Sequence, residues 1–192
     1  MQCKRTAVAR DAEFKTRAED GNLYIEGYFA VYNSRYDLWD GAYETIAPGA
    51  FDGEINGDIR ALTNHDTTLV LGRTTANTLT LRTDEKGLWG SIVINQNDQD
   101  AMNLYERVKR ADVSQCSFGF DILDQDVEYT DGEPTVWTIR KVKLYEVSVV
   151  TFPAYTDTSV EARKKDLSDI LERKNKEWKR QAVKKLKNIM SH

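Results

Sequence analysis

Ser117 stands in the run Cys116, Ser117, Phe118, Gly119, Phe120, where apolar and aromatic neighbours read as a buried strand and the glycine lets a backbone or substrate come close. A serine hydroxyl attacks a carbonyl only when a neighbouring base takes its proton; alone, it is equally a small residue of a packed sheet. The base has one practical candidate, because the chain holds 2 histidines and His192 is the last residue. His65 follows Ile59 to Leu62, a strand that delivers Thr63, Asn64, His65 and Asp66 at its end, where a sheet holds polar groups still; its plain alternative is a histidine of a surface loop. Two carboxylates could orient the imidazole. Glu146 sits in an apolar strand, where a charge needs a partner, and could equally be a salt-bridged or edge-strand glutamate. Asp66 is adjacent to His65, but neighbours on a strand face apart. Cys116 is a secondary nucleophile, and alternation puts it on the face opposite Ser117.

The elements that must position these groups follow from periodicity. Leu23, Ile25, Gly27, Phe29 and Val31 alternate with Tyr24, Glu26, Tyr28, Ala30 and Tyr32, a period of two that predicts a strand with one buried face. Asn33 to Gly41 reads as a polar connection, Tyr43 to Ala47 as a short strand, and Pro48 to Phe51 as a turn. Leu79 to Arg82 and Leu88 to Ile94 predict a hairpin through Asp84 to Gly87. Ala101, Leu104, Tyr105, Val108 and Ala111 then recur at three and four residues, predicting a helix. Strand character returns over Val113 to Leu123, pauses at an acidic turn from Asp124 to Pro134, and resumes over Val136 to Ile139. It is strongest from Val142 to Phe152, where Leu144, Glu146, Ser148 and Val150 are expected to share a face, until Pro153 stops it.

Three segments result: a flexible N-terminal arm (1–20), a body (21–163) and a basic helical tail (164–192). Leu171, Trp178, Ala182, Leu186 and Ile189 give the tail a thin apolar stripe. From Glu161 onward 11 Lys and Arg face 5 Asp and Glu, so the end of the chain carries +6 while the first 160 residues carry -10, within a net charge of -4. An acidic body argues against binding phosphate backbones, which requires clustered cations. With 192 residues the chain suits one domain with appendages. No apolar run reaches the length of a membrane span and no apolar leader follows Met1, so a cytoplasmic location without membrane contact is expected. The 2 cysteines, Cys3 and Cys116, support neither a disulfide framework nor a thiolate metal cluster. His and Cys are too few for a zinc peptidase, and calcium-loop and phosphate-loop patterns are missing; no metal or cofactor is expected.

Gly27 to Tyr32, Pro48 to Phe51, Asn64 to Asp66 with Leu71 to Arg73, Ser117 to Phe120, and Glu146 to Ala154 form an ordered set from about Gly21 to Arg163. That set resembles the prohead maturation protease family of tailed bacteriophages. The resemblance implies an α+β fold, mainly an antiparallel β-barrel flanked by helices and similar to the herpesvirus capsid protease, assemblin. It implies a serine endopeptidase acting inside the assembling procapsid, in the host cytoplasm, on the scaffolding segment of the major capsid protein and on itself. Self-association into a homo-oligomer is expected by the same likeness. The nucleophile carries over to Ser117 and the base to His65. The third member maps to Glu146, an acid where the herpesvirus enzymes use a second histidine, with Asp66 as its rival. Phe118 and Gly119 are the nearest candidates to supply oxyanion-binding N–H groups. Two other readings stand beside this one: a non-catalytic capsid or scaffold-binding protein on the same fold, and another hydrolase, such as an esterase, using the same side chains.

Overall fold

Alternating stretches become strands, and the stretch with helical spacing becomes a helix. The computed structural model describes residues 5–9, 14–152 and 157–190. Its strands are β1 (Arg5–Ala9), β2 (Lys15–Glu19), β3 (Asn22–Val31), β4 (Tyr36–Trp39), β5 (Ala42–Ile46), β6 (Arg60–Thr63), β7 (Asp66–Arg73), β8 (Leu79–Thr83), β9 (Gly87–Ile94), β10 (Gln115–Glu128) and β11 (Thr135–Val150); helix α1 (Gln99–Lys109) lies between β9 and β10, and α2 (Asp157–Met190) ends the series. The chain divides into two compact units, residues 1–156 and 157–192.

The 16-residue β11 is the spine of the first unit. One edge pairs antiparallel with β10 along its length. The other edge carries two separate strands in parallel, β5 against Thr135 to Ile139 and β6 against Glu146 to Val149. The seven-stranded sheet therefore runs β1-β10-β11-β5-β4 with the β6–β7 hairpin branching off β11, and a second sheet runs β2-β3-β9-β8. Apolar residues of both sheets, among them Ile25, Phe29, Leu88 and Ile92 from one and Phe118, Phe120, Val147 and Val149 from the other, form one buried cluster with Ala101, Leu104 and Tyr105 of α1. Asp98 caps α1, accepting hydrogen bonds from the Asp100 and Ala101 N–H groups, a role for which a short carboxylate side chain is well suited. Ala111 lies beyond the helix, with φ 64°.

Several expectations need correction. The fold is α+β and mostly strand, but among the described residues neither sheet closes into a barrel, and two of the ladders on β11 are parallel. Periodicity reports which face is buried and says nothing of which strand pairs with which. Residues 5–9 and 15–19, expected in a flexible arm, are strands paired to β10 and β3; the charges of Lys15 to Glu19 suit an exposed edge, and ladder hydrogen bonds do not depend on side-chain polarity. β4 occupies part of the expected Asn33 to Gly41 connection, and β10 extends through Glu128, shortening the acidic turn. Phe152 is exposed beyond the end of β11, while Pro153, Cys3 and His192 lie outside the described residues.

One correction moves side chains between faces. The register passes from Gly119 opposite Glu146 to Phe120 opposite Leu144, leaving Tyr145 as an extra residue on β11. This is a β-bulge, which resets the alternation of the strand that carries it. Val142 and Leu144 on one side of it and Val147 and Val149 on the other all join the core. Leu144 and Glu146, expected on one face, are thereby separated.

The β6–β7 hairpin presents the only histidine among the described residues. Thr63 pairs with Asp66, and the two turn residues Asn64 and His65 have φ of 50° and 61°. Positive φ at both central residues is what a two-residue type I′ hairpin turn requires. Asparagine tolerates that region, whereas an ordinary Cβ costs about 1–2 kcal/mol there. At the open end of the hairpin Arg73 makes two parallel bonds to Asp58, Nε to Oδ1 at 2.6 Å and Nη2 to Oδ2 at 2.7 Å. Hydrogen bonding from Arg73, helped by the charge of Arg60, holds the Asp58 carboxyl down at about 2.

Two outcomes follow. His65→Gly should be more stable than His65→Ala by about 1 kcal/mol in urea unfolding, since both lose the imidazole and only glycine relieves the left-handed backbone; in an extended strand the order would reverse. Asp58 has a folded-state pKa below its unfolded value of about 3.9, so its contribution is full above that value and fades as pH falls toward 2. Unfolding curves across that range should show Asp58→Asn less stable than the parent near neutrality and converging with it in acid.

Candidate active site

Strand pairing assembles the site. Ser117 lies directly opposite Ser148 in the β10–β11 ladder, and Gly119 opposite Glu146. Directly opposed residues share a face, with Cβ atoms about 5 Å apart, so Ser117, Ser148 and Glu146 occupy one side of the sheet, and a glycine faces the carboxylate. That side is opposite the core, where Cys116, Phe118, Val147 and Val149 pack. On the other edge of β11, the parallel pairing of Leu62 with Ser148 and Thr63 with Val149 brings the end of β6 alongside the same residues. The left-handed turn then carries His65 back over β11.

His65 Nδ1 lies 2.7 Å from Glu146 Oε1. An ionised carboxylate only accepts, so Nδ1 carries the hydrogen, and in the neutral ring Nε2 is left as the free base. Glu146 is 2% exposed and His65 30% exposed at its side chain, which places the carboxylate in the protein and leaves the imidazole open on one side. The second carboxylate oxygen, Oε2, accepts a 2.6 Å hydrogen bond from Ser148 Oγ. The His65 main-chain N–H donates to that same Oγ at 3.2 Å. Asn64 fastens the turn further, its N–H donating to the Val149 carbonyl and its Oδ1 accepting from the Thr151 N–H, each at 2.9 Å.

The structure thus brings together His65 and Glu146 in direct contact and sets Ser117 on their side of the sheet, itself 1% exposed. Asp66 does not meet the imidazole nitrogen that Glu146 engages. Its Oδ1 accepts from the Thr68 hydroxyl and N–H at 2.6 and 2.8 Å, and those bonds hold its carboxyl below the usual range. Cys116 points the other way, its thiol donating to the carbonyls of Tyr28 and Phe29 on the second sheet; a thiol embedded in the core is a packing residue. Phe118 and Gly119 lie between strands, paired to β11 on one side and to Ala7 and Thr6 of β1 on the other, so their main chains belong to the ladders. No cluster of three or more His, Cys, Asp or Glu capable of holding a metal occurs among the described residues.

Ser148 and Asn64 join the candidate site through the hydrogen bonds of the folded chain. Their signal was present: Ser148 lies two residues from Glu146 on the same expected face, and Asn64 precedes the histidine in a turn-forming pair. What the sequence could not display was β6 lying parallel to β11, which turns those residues into hydrogen-bond partners.

The chain is related in sequence to known proteins. Over 165 residues it is 27% identical to a protein named "Prohead protease" from Enterobacteria phage HK97, an alignment covering 83% of this chain and 68% of that one. No solved structure matches it. The model of the family described as "Caudovirus prohead serine protease" matches residues 11–173, extending beyond both ends of the region that carries the sequence resemblance, and the chain belongs to that family.

Proposed function

We propose that the protein is the maturation endopeptidase of a phage procapsid, with Ser117 as nucleophile, His65 as general base and acid, and Glu146 as the group that orients the imidazole. The 2.7 Å contact between His65 Nδ1 and the buried Glu146 carboxylate carries this reading, because it leaves Nε2 as the basic nitrogen on the side of the sheet where Ser117 lies. Ser117 Oγ attacks the scissile carbonyl as Nε2 takes its proton, and the resulting imidazolium is stabilised by Glu146. That proton then passes to the leaving amine, the C–N bond breaks, and an acyl-serine remains. Water repeats the sequence: His65 takes its proton, the ester carbonyl is attacked, and Ser117 recovers its hydrogen.

The family name supplies the substrate class, a capsid protein during head assembly. We take the cleaved region to be the scaffolding segment of the major capsid protein, and the protease itself to be a second substrate, within the assembling procapsid. No described helix is long and apolar enough to cross a membrane.

A fluorophosphonate probe should label Ser117 in the native protein, with labelling lost in Ser117→Ala and His65→Ala. Cleavage of the co-assembled capsid protein should disappear in the same two variants, read by mass spectrometry of the products. A parent protein that never labels under assembly conditions would mean a structural capsid component, and labelling without capsid cleavage would mean another hydrolase. Glu146→Gln should lower the turnover number by roughly 10³–10⁴-fold, through loss of tautomer control, with a much smaller change in the unfolding midpoint. Near-parental turnover would remove Glu146 from the mechanism.

A further inference from the structure

We infer that Ser148 is a positioning residue of this site, holding the Glu146 carboxylate and the His65 main chain in the one arrangement that directs the imidazole proton onto Nδ1. This rests on the proposed roles of Ser117, His65 and Glu146 and adds a residue to them. A hydroxyl offers one donor and two acceptor positions. Ser148 Oγ gives its hydrogen to Glu146 Oε2 at 2.6 Å and accepts the His65 N–H at 3.2 Å. Glu146 Oε1 in turn receives the hydrogen of His65 Nδ1 at 2.7 Å. The bonds close a ring: His65 main chain, Ser148, Glu146, His65 side chain. Both ends of the histidine are thus referred to the same two residues of one strand.

Such a ring does what neither bond could do alone. A carboxylate held at one oxygen still rotates about its terminal torsion, which is broad and nearly two-fold. Held at both oxygens, it presents Oε1 at a fixed angle. The main-chain bond from His65 locks the left-handed turn from which the ring projects, so the imidazole direction is set relative to β11 rather than to a mobile loop. Ser148 is 0% exposed and Glu146 2%, so water does not readily replace either partner. The Ser148 proton is directed to a carboxylate, and His65 approaches its oxygen through the main chain. That is the arrangement of a support, whereas Ser117 lies one strand over on the same face.

The test uses the full chain and a fluorophosphonate probe, whose reaction rate requires no knowledge of the natural cleavage site. Ser148→Ala should reduce the limiting labelling rate by about 10- to 100-fold, the scale of a misplaced reacting group, while the probe concentration giving half that rate stays unchanged. Nitrogen-15 NMR of the imidazole should show the Nδ1–H form in the parent and a mixture with the Nε2–H form in Ser148→Ala. Ser148→Thr, which keeps the hydroxyl, should restore both. If Thr does not fold, the NMR spectrum of the Ala variant still decides. A parental rate or an unchanged Nδ1–H signal in folded Ser148→Ala would overturn the positioning role and leave the triad standing, provided Ser117→Ala and His65→Ala are dead. Labelling that survives in Ser117→Ala and vanishes in Ser148→Ala would make Ser148 the nucleophile and overturn both readings.

Discussion

A carboxylate buried in an apolar strand is the constraint on which this structure turns. Glu146 is 2% exposed, and an ionised group removed from water costs several kcal/mol unless donors replace its hydration. His65 Nδ1 and Ser148 Oγ supply those donors, one to each oxygen. For His65 to arrive there, β6 must run parallel to β11 in the observed register, the turn after Thr63 must adopt two successive positive φ angles, and the bulge at Tyr145 must turn Glu146 away from the core side occupied by Leu144. These features belong to different parts of the sequence, and each brings a cost or irregularity that regular strand pairing alone would not require.

The same strands face the core on one side and the candidate site on the other. On β10, Cys116, Phe118 and Phe120 enter the core, with Phe118 packed edge-on against Phe51 at 5.4 Å and stacked on Phe120 at 4.8 Å. Ser117 and Gly119 alternate with them. On β11, Val147 and Val149 are core and Glu146 and Ser148 line the candidate site. A close-packed core resists displacement, so the ladder between these strands inherits its rigidity. Site geometry is consequently secured from below by apolar contacts and from the side by the hydrogen-bonded turn.

Much of this was legible in residue types and spacing. The hairpin through Asp84 to Gly87, helix α1, the opposition of Cys116 to Ser117, and the sparse supply of histidine follow from local periodicity and simple counting. Pairing was not legible. A parallel ladder between β6 and β11 joins residues more than eighty positions apart and leaves no local trace, yet it decides between Glu146 and Asp66 as the partner of His65. The open sheets in place of a barrel have the same origin, since β11 carries β5 and β6 on one edge and splits the sheet there. Strands β1 and β2 lie at sheet edges, where side chains need not alternate, and Leu144 departs from the face its spacing predicts because one extra residue at Tyr145 shifts the period.

The histidine turn joins backbone strain to the candidate site most directly. Asn64 is well suited to a left-handed position, and a glycine would be the unstrained choice after it. His65 takes that second position, so the backbone bears a strain of about 1–2 kcal/mol, and its side chain bonds Glu146 from there. The turn keeps its shape because its surroundings fix it from several directions: the Asn64 N–H and side chain to Val149 and Thr151, the His65 N–H to Ser148, and the Arg73–Asp58 pair at the other end of the hairpin. Local strain persists where the surrounding structure over-determines it. Most of the residues that enforce it here, Ser148, Val149 and the adjoining Thr151, follow Glu146 within five positions of the chain, so one short stretch holds both the strained turn and the carboxylate that meets its imidazole.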